Sequence, residues 1–205
     1  MTTTHDHFHI GLPKGTISYK SYTLIRSFLN KDVHKTRLHY FDKRTNIHFY
    51  LLKQRDIPKL VHDGTIDIGI TSTEWIREKG YPALIVKDVG WCNTRLSLLA
   101  HKTTPFPNNH QSFSCVTEFP TIARDFFASK GYTNISIEQI SGSTEGLVPY
   151  VYSCAIDCVE TGKTIQRHEL VEKDVIFISR TVVIVKNEMK KKELERILQL
   201  LLNKV

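Results

Sequence analysis

The amino-acid sequence predicts an α/β fold, and three observations lead there. Short apolar runs alternate with segments of helical periodicity along the chain. A stretch of 12 residues, VIFISRTVVIVK at 175–186, is almost wholly β-branched or apolar and exceeds the usual strand of about 5–6 residues. The 205 residues, 40% hydrophobic and 24% charged, suffice for a buried core in one large domain or two small ones.

Each element has a local reason. His7–Leu12 reads as a strand ended by Pro13-Lys14-Gly15, and Tyr19–Leu29 as a helix with Ser18 as N-cap. Asn46–Lys53 is a strand. Asp56–His62 is a short helix capped by Asp56, with Pro58 in its first turn. Ile66–Thr71 reads as a buried strand, and Thr73–Lys79 as a helix ended by Gly80. Strands follow at Leu84–Val89 and Leu96–His101, then a Pro/Asn-rich loop at Thr103–Gln111. Phe113–Thr117 is a strand, Pro120–Lys130 a helix stopped by Gly131, Ile135–Ile140 a strand, and Thr144–Tyr152 a helix. Ala155–Val159 is a strand that runs into the turn Glu160-Thr161-Gly162-Lys163-Thr164. The long 175–186 strand is of a length to cross between two lobes. A final helix places Leu194, Ile197, Leu198 and Leu201 at i, i+3, i+4, i+7, a core stripe.

Composition excludes several classes. Ten Gly and 7 Pro rule out collagen-like or low-complexity chains. No apolar run approaches the roughly 20 residues of a membrane span, and Met1–Asp6 lacks the apolar stretch of a secretory signal, so no membrane association and a cytoplasmic location are expected. Four scattered cysteines, Cys92, Cys115, Cys154 and Cys158, read as small buried thiols rather than a disulfide framework or a metal site. Twenty-eight Lys+Arg against 21 Asp+Glu give +7, which suits anionic partners. Part of that surplus is the run Lys190-Lys191-Lys192, and no nucleic-acid module accompanies it, so nucleic acid is not an expected partner. His5, His7 and His9 alternate and invite a metal reading, but a terminus fraying into a strand is the simpler one.

Three segments carry chemistry. In Ala155–Thr164 a strand runs into a turn of small and hydroxyl residues and then a helix start, where backbone N–H groups and Thr hydroxyls form a nest for a phosphate. Gly162 permits the close approach a phosphate needs, and Asp157 and Glu160 are placed to accept from ribose hydroxyls. The spacing is not that of a P-loop. Leu12-Pro13-Lys14-Gly15 puts a lysine at a strand carboxyl end, where α/β sheets gather ligands. Lys53-Gln54-Arg55-Asp56 and the turn Asp67-Ile68-Gly69-Ile70-Thr71 again set charge and small residues at strand ends.

In this order and at these separations the stretches GLPKG, RDIPKLVHDGTIDIGIT, FPTIARDFFASKG, GSTEGLVPYV and DCVETGKTI, from residue 11 to about 170, resemble the catalytic subunit of ATP phosphoribosyltransferase in its short form, as a divergent member. The resemblance implies a two-lobed α/β fold like type II periplasmic binding proteins, with the chain crossing between lobes twice: residues 1–92 plus 179–205 in one lobe, and 93–178, with the phosphate loop, in the other. It implies the first step of histidine biosynthesis, in which ATP and phosphoribosyl pyrophosphate (PRPP) give phosphoribosyl-ATP and pyrophosphate with Mg²⁺. It further implies a homo-oligomer and a regulatory subunit related to histidyl-tRNA synthetase. By match, Glu160, Thr161, Gly162, Lys163 and Thr164 cradle the 5-phosphate, and Asp157 and Glu160 bind the ribose hydroxyls. Lys14 and Lys53 face the pyrophosphate, which Arg37 reaches from a neighbouring subunit. Glu145, Asp67, Gly69 and Thr71 line the cleft, and no side chain is assigned as a metal ligand.

This chain departs from the family pattern at Thr16, Lys53, Ser72, Glu74, Glu118 and Ser153, while the phosphate loop is intact. The PRPP half therefore follows the family more closely than the ATP half. Two alternatives stand beside this reading: a paralogous phosphoribosyltransferase of another pathway, such as nucleoside natural-product synthesis, and a non-catalytic ligand-binding protein of the same architecture.

Overall fold

The computed structural model describes residues 7–186 and 192–205, with the side chains of 192–194 left aside. His5, Lys190, Lys191 and the side chain of Leu194 lie outside the described residues. The chain divides into two compact units, Met1–Cys92 with Arg180–Val205, and Asn93–Ser179.

The first unit holds β1 (Phe8–Pro13), α1 (Ser18–Leu29), β2 (His39–Asp42), β3 (Ile47–Leu52), α2 (Ile57–His62), β4 (Ile68–Ser72), α3 (Thr73–Lys79) and α6 (Lys192–Leu202). It also holds the start of β5 (Leu84–His101) and the end of β9 (Leu170–Val185). Its strands run in the order β2-β3-β1-β4-β9, with β1 parallel to β3 and β4 and with β2 and β9 antiparallel to their neighbours. Alternation sorts the side chains. Val183 and Val185 join Ile10, Leu12, Phe49 and Leu51 on one face, under Leu24, Ile25 and Phe28 of α1 and Ile197, Leu198 and Leu201 of α6. Val182 and Ile184 join Ile57 and Val61 of α2 on the other. Ile197, Leu198 and Leu201 of the predicted stripe are thus core.

The second unit holds β6 (Phe113–Thr117), α4 (Pro120–Ser129), β7 (Ile135–Gln139), β8 (Cys154–Val159) and α5 (Lys163–Arg167), with the rest of β5 and β9. Its order is β5-β8-β6-β7, with β8, β6 and β7 parallel and β5 antiparallel to β8. Leu99, Val116, Ala155, Val159 and Ile165 form one buried cluster. Phe106, Phe113, Phe127 and Tyr132 pack edge to face in another, with centroids 5.3–6.1 Å apart. Cys115 and Cys154 are buried register partners across β6 and β8; Cys154 Sγ donates to the Ser114 carbonyl at 3.6 Å, and the adjacent Cys115 thiol together with burial raises the Cys154 thiol above its ordinary range.

The α/β class expected from the sequence is the one observed, and the chain passes from unit to unit twice, along β5 and β9. Several local expectations are corrected. Residues 84–101 form one strand, not two: Gly90 (φ +61) kinks the chain without ending it, and Arg95–Ala100 pairs with β8. Thr144–Tyr152 is not a helix. A single 3-10 turn at Thr144–Leu147 stops where Pro149 forces Val148 into the extended region (φ −99, ψ 133). Neither Ser18 nor Asp56 caps its helix through its side chain. Ile17 precedes α1, and a 3-10 turn at Gln54–Asp56 leads into α2 with Asp56 already near-helical. The edge strand β2, four residues long, had no periodicity to announce it.

Candidate active site

The second unit builds its site on β8. Extended backbone to Val159 passes through Glu160 and Thr161 to Gly162, whose φ of +76 lies in the left-handed region. That twist turns the chain into α5: the Gln166 N–H donates to the Gly162 carbonyl at 3.1 Å, and the Thr161 hydroxyl accepts from the Lys163 N–H at 3.5 Å. Glu160, Thr161, Lys163 and Thr164 are exposed, and Ile165 beneath them is buried in the unit's core, so the turn is anchored from below and open above. N–H groups of a helix start, which lack carbonyl partners within the helix, suit an anion where they meet an exposed turn of hydroxyl residues.

Asp157 precedes this turn on β8, and it is the most perturbed carboxyl of the unit. The Thr144 hydroxyl donates to its Oδ2, and the Cys158 N–H donates to its Oδ1 at 2.7 Å. Burial pushes its pKa up to about 6. The Thr144 hydrogen bond opposes that rise, repulsion from Glu145 adds to it, the Cys158 N–H opposes it, and Glu118 adds again. Two acids from other segments thus act on Asp157 of β8: Glu145 from the turn after Gly142 and Ser143, and Glu118 from the β6–α4 connection. Sequence reading placed Asp157 and Glu145 in the site but missed Thr144, which is fully buried. Its only signal was a hydroxyl residue beside Glu145. Glu118, noted only as a departure, belongs to the same cluster.

The first unit places its residues at strand ends. Pro13 pairs with Leu52, and the Lys14 N–H donates to the Leu52 carbonyl at 2.8 Å, so Lys14 and Lys53 leave adjacent carboxyl ends of β1 and β3. Arg37 is exposed in the α1–β2 connection. It lines a cavity of about 520 Å³ with Lys31, His34 and Lys43, and neither Lys14 nor Lys53 is among the lining residues. The segment Asp67–Thr71 is not a turn. Asp67 precedes β4 and ties it to β1, accepting from the His9 N–H and donating its own N–H to the His9 carbonyl, both at 2.8 Å. Gly69 is a packing glycine: a Cβ there would stand 2.5 Å from Ile57 Cγ2 and 2.9 Å from Val61 Cγ2. Thr71 is buried, and its hydroxyl donates to the Gln54 carbonyl at 2.9 Å. Ser72, one step on, donates to Glu74 at 2.5 Å.

His9 lies on β1 and His7 just before it, and their partners are other rings. His7 Nδ1 lies 2.7 Å from His48 Nε2, His39 Nε2 lies 2.9 Å from His48 Nδ1, and His9 Nδ1 lies 2.9 Å from the Tyr50 hydroxyl. Burial first, then His9, His39 and His7, lower the pKa of His48. Among the described residues no three His, Cys, Asp or Glu side chains converge as ligands of a metal ion, and no helix is long and apolar enough to cross a membrane.

The family profile of ATP phosphoribosyltransferase matches residues 53–204. The chain is 32% identical over 167 residues to an ATP phosphoribosyltransferase of Clostridium kluyveri, covering 79% of this chain and 75% of that one. It is 31% identical over 205 residues to one of Caldanaerobacter subterraneus subsp. tengcongensis, covering 96% and 95%. Among solved structures it superposes with a TM-score of 0.82 on a chain of the ATP phosphoribosyl transferase (HisG:HisZ) complex from Thermotoga maritima, at 23% identity over 95% of this chain and 94% of that one. It superposes with a TM-score of 0.58 on arginine-bound ArgBP of the same organism (a Gly52Ala mutant), at 10% identity over 96% and 95%. These likenesses carry the expected fold, that of the ligand-binding proteins of amino-acid transport.

Proposed function

The chain belongs to the ATP phosphoribosyltransferase family, and from that premise we propose that it joins ATP to PRPP in the first step of histidine biosynthesis, using the β8 turn as the seat of PRPP. The observation that carries this reading is the run from Asp157 to Thr164: a strand carrying a half-buried carboxylate, a left-handed Gly162 and a helix start.

In the proposed reaction an adenine ring nitrogen attacks the anomeric carbon of PRPP. The C–N bond forms as the bond to the pyrophosphate oxygen breaks, and that oxygen departs with the electron pair. Positive charge grows on the ribose ring and negative charge on the leaving group, so the protein needs position and electrostatics rather than a nucleophile of its own. The N–H groups and hydroxyls of Thr161–Thr164 hold the 5-phosphate. Asp157 and Glu160 accept from the two ribose hydroxyls and fix the ring. Lys14 and Lys53 meet the pyrophosphate, and Arg37, by its match to the family, reaches it from a neighbouring subunit. Glu145 keeps the entrance acidic beside Asp157.

Mg²⁺ fits this donor set as an ion carried by the substrate's phosphates, which keeps several waters and asks for no protein cage. When bound it neutralises part of the pyrophosphate charge. The chain works as a homo-oligomer with a regulatory subunit related to histidyl-tRNA synthetase, in line with the Thermotoga maritima complex, and as a biosynthetic enzyme it resides in the cytoplasm.

Incubation with ATP, PRPP and Mg²⁺, with and without that partner, tests the reading by mass spectrometry. The expected product is ATP plus one phosphoribosyl group, with one pyrophosphate released. No adduct under either condition contradicts it.

A further inference from the structure

We propose that Thr144 is a positioning residue for PRPP: its hydroxyl locks the Asp157 carboxylate in the orientation that receives the ribose diol. The proposal rests on the reading that Asp157 binds ribose. Thr144 itself touches neither substrate, because it is fully buried.

Two consecutive left-handed residues, Gly142 (φ +81) and Ser143 (φ +59), reverse the chain just before Thr144 and turn its side chain inward. The hydroxyl then donates to Asp157 Oδ2 across 13 residues of sequence, while the Cys158 N–H takes Oδ1 at 2.7 Å. An ionised carboxylate offers about four lone-pair sites, two on each oxygen. One on each oxygen is thereby filled, and one on each remains. Two remaining acceptors on two fixed oxygens set the direction from which Asp157 receives a ribose O–H, the diol's other O–H falling to Glu160. Without the Thr144 donor, Asp157 would be held at one oxygen only and free to turn about its χ2 torsion.

The same hydrogen bond favours the charged form, which is the form that accepts a ribose O–H through either oxygen. The other ionisable groups facing Asp157, Glu145 from its turn and Glu118 from the β6–α4 connection, oppose that form. On β5 the register partner of Asp157 is Ser97, whose hydroxyl is given to Glu172, itself paired with Arg95 at 2.8 Å. That network is closed on itself. Thr144 is therefore the only side chain among the named causes that draws Asp157 toward ionisation.

Thr144→Val removes the hydroxyl at nearly constant volume, and Thr144→Ser keeps it. A hydrogen bond to a charged group corresponds to roughly a ten-fold effect. Thr144→Val should raise the KM for PRPP about ten-fold at pH 6.5 with kcat and the KM for ATP within two-fold, and move the acid limb of kcat/KM for PRPP up by about one pH unit. Thr144→Ser should restore both. Carbon-13 titration of aspartate carboxyls, with Asp157 assigned through Asp157→Asn, reads the same rise without any turnover. If circular dichroism shows that the valine variant misfolds, Thr144→Ala deletes the same hydroxyl and takes its place in both assays. An active wild type whose valine or alanine variant gives an unchanged PRPP profile and an unchanged Asp157 titration overturns the proposal. A wild type that neither binds PRPP nor makes phosphoribosyl-ATP overturns instead the ribose-binding reading beneath it, even if the carboxyl titration shifts.

Discussion

Replacing Asp157 by Asn should stabilise the protein while abolishing its turnover, and only at a pH where the aspartate is charged. The wild-type carboxyl is raised from 3.8 to about 6, chiefly by burial. At about 1.36 kcal/mol per pH unit, keeping it ionised above pH 6 costs on the order of 3 kcal/mol of folding stability. The sign follows from proton binding. Between about pH 4 and 6 the folded chain holds the proton that the unfolded chain has released, so stability falls as pH rises through that window. Asparagine carries no charge to desolvate, and its amide oxygen still accepts from the Cys158 N–H. A net gain of about 2 kcal/mol at pH 7.5 corresponds to roughly 4–8 °C in Tm for a chain of this size. Calorimetric melts of both proteins at pH 4 and pH 7.5 measure it: the variant should melt higher at pH 7.5 and level with wild type at pH 4. A variant that melts lower at pH 7.5, or a gap that ignores pH, would refute the claim that function holds a strained carboxylate here.

Other outcomes are equally specific. Gly69→Ala drives a Cβ to 2.5 Å from Ile57 Cγ2 and 3.2 Å from Ile184 Cγ1, so it should cost about 1–3 kcal/mol in urea unfolding without changing the KM for either substrate. Unchanged stability would mean that Gly69 serves a ligand after all. Gly162→Val places a β-branched residue at φ +76 and should abolish the PRPP heat in calorimetry while leaving ATP binding within two-fold. PRPP heat at wild-type strength would remove the turn from the account. Across a nitrogen-15 titration from pH 8 to 5, His48 should stay neutral below the ordinary imidazole value, since its ring is partly buried and has His7, His9 and His39 beside it. A midpoint at or above 6.5 would contradict the packing of that face.

What the sequence made legible was local chemistry. The glycine, hydroxyls and acids of residues 157–164 announced a turn because only Gly accepts a left-handed φ there without strain, and the apolar stripe of α6 announced core because its period matches a helix. What stayed hidden depended on partners far along the chain. Gly69 looked like part of a turn at a strand end because nothing in IDIGIT shows that Ile57 and Val61 of α2 will lie on it. Asp67 and Thr71 looked like neighbours, but extended backbone rises about 3.3 Å per residue and carries them to opposite ends of β4. Thr144 carried no signal beyond its hydroxyl until the fold brought it to Asp157. The helix expected over 144–152 failed for a local reason that could have been read, since Pro149 excludes helical backbone at Val148.

The most direct test is a crystal structure of the chain with PRPP bound under conditions where calorimetry shows saturation. The 5-phosphate should sit on the backbone N–H groups of Thr161–Thr164, with the ribose diol against Asp157 and Glu160. A saturated complex in which that turn is empty and the sugar phosphate lies elsewhere would contradict the account.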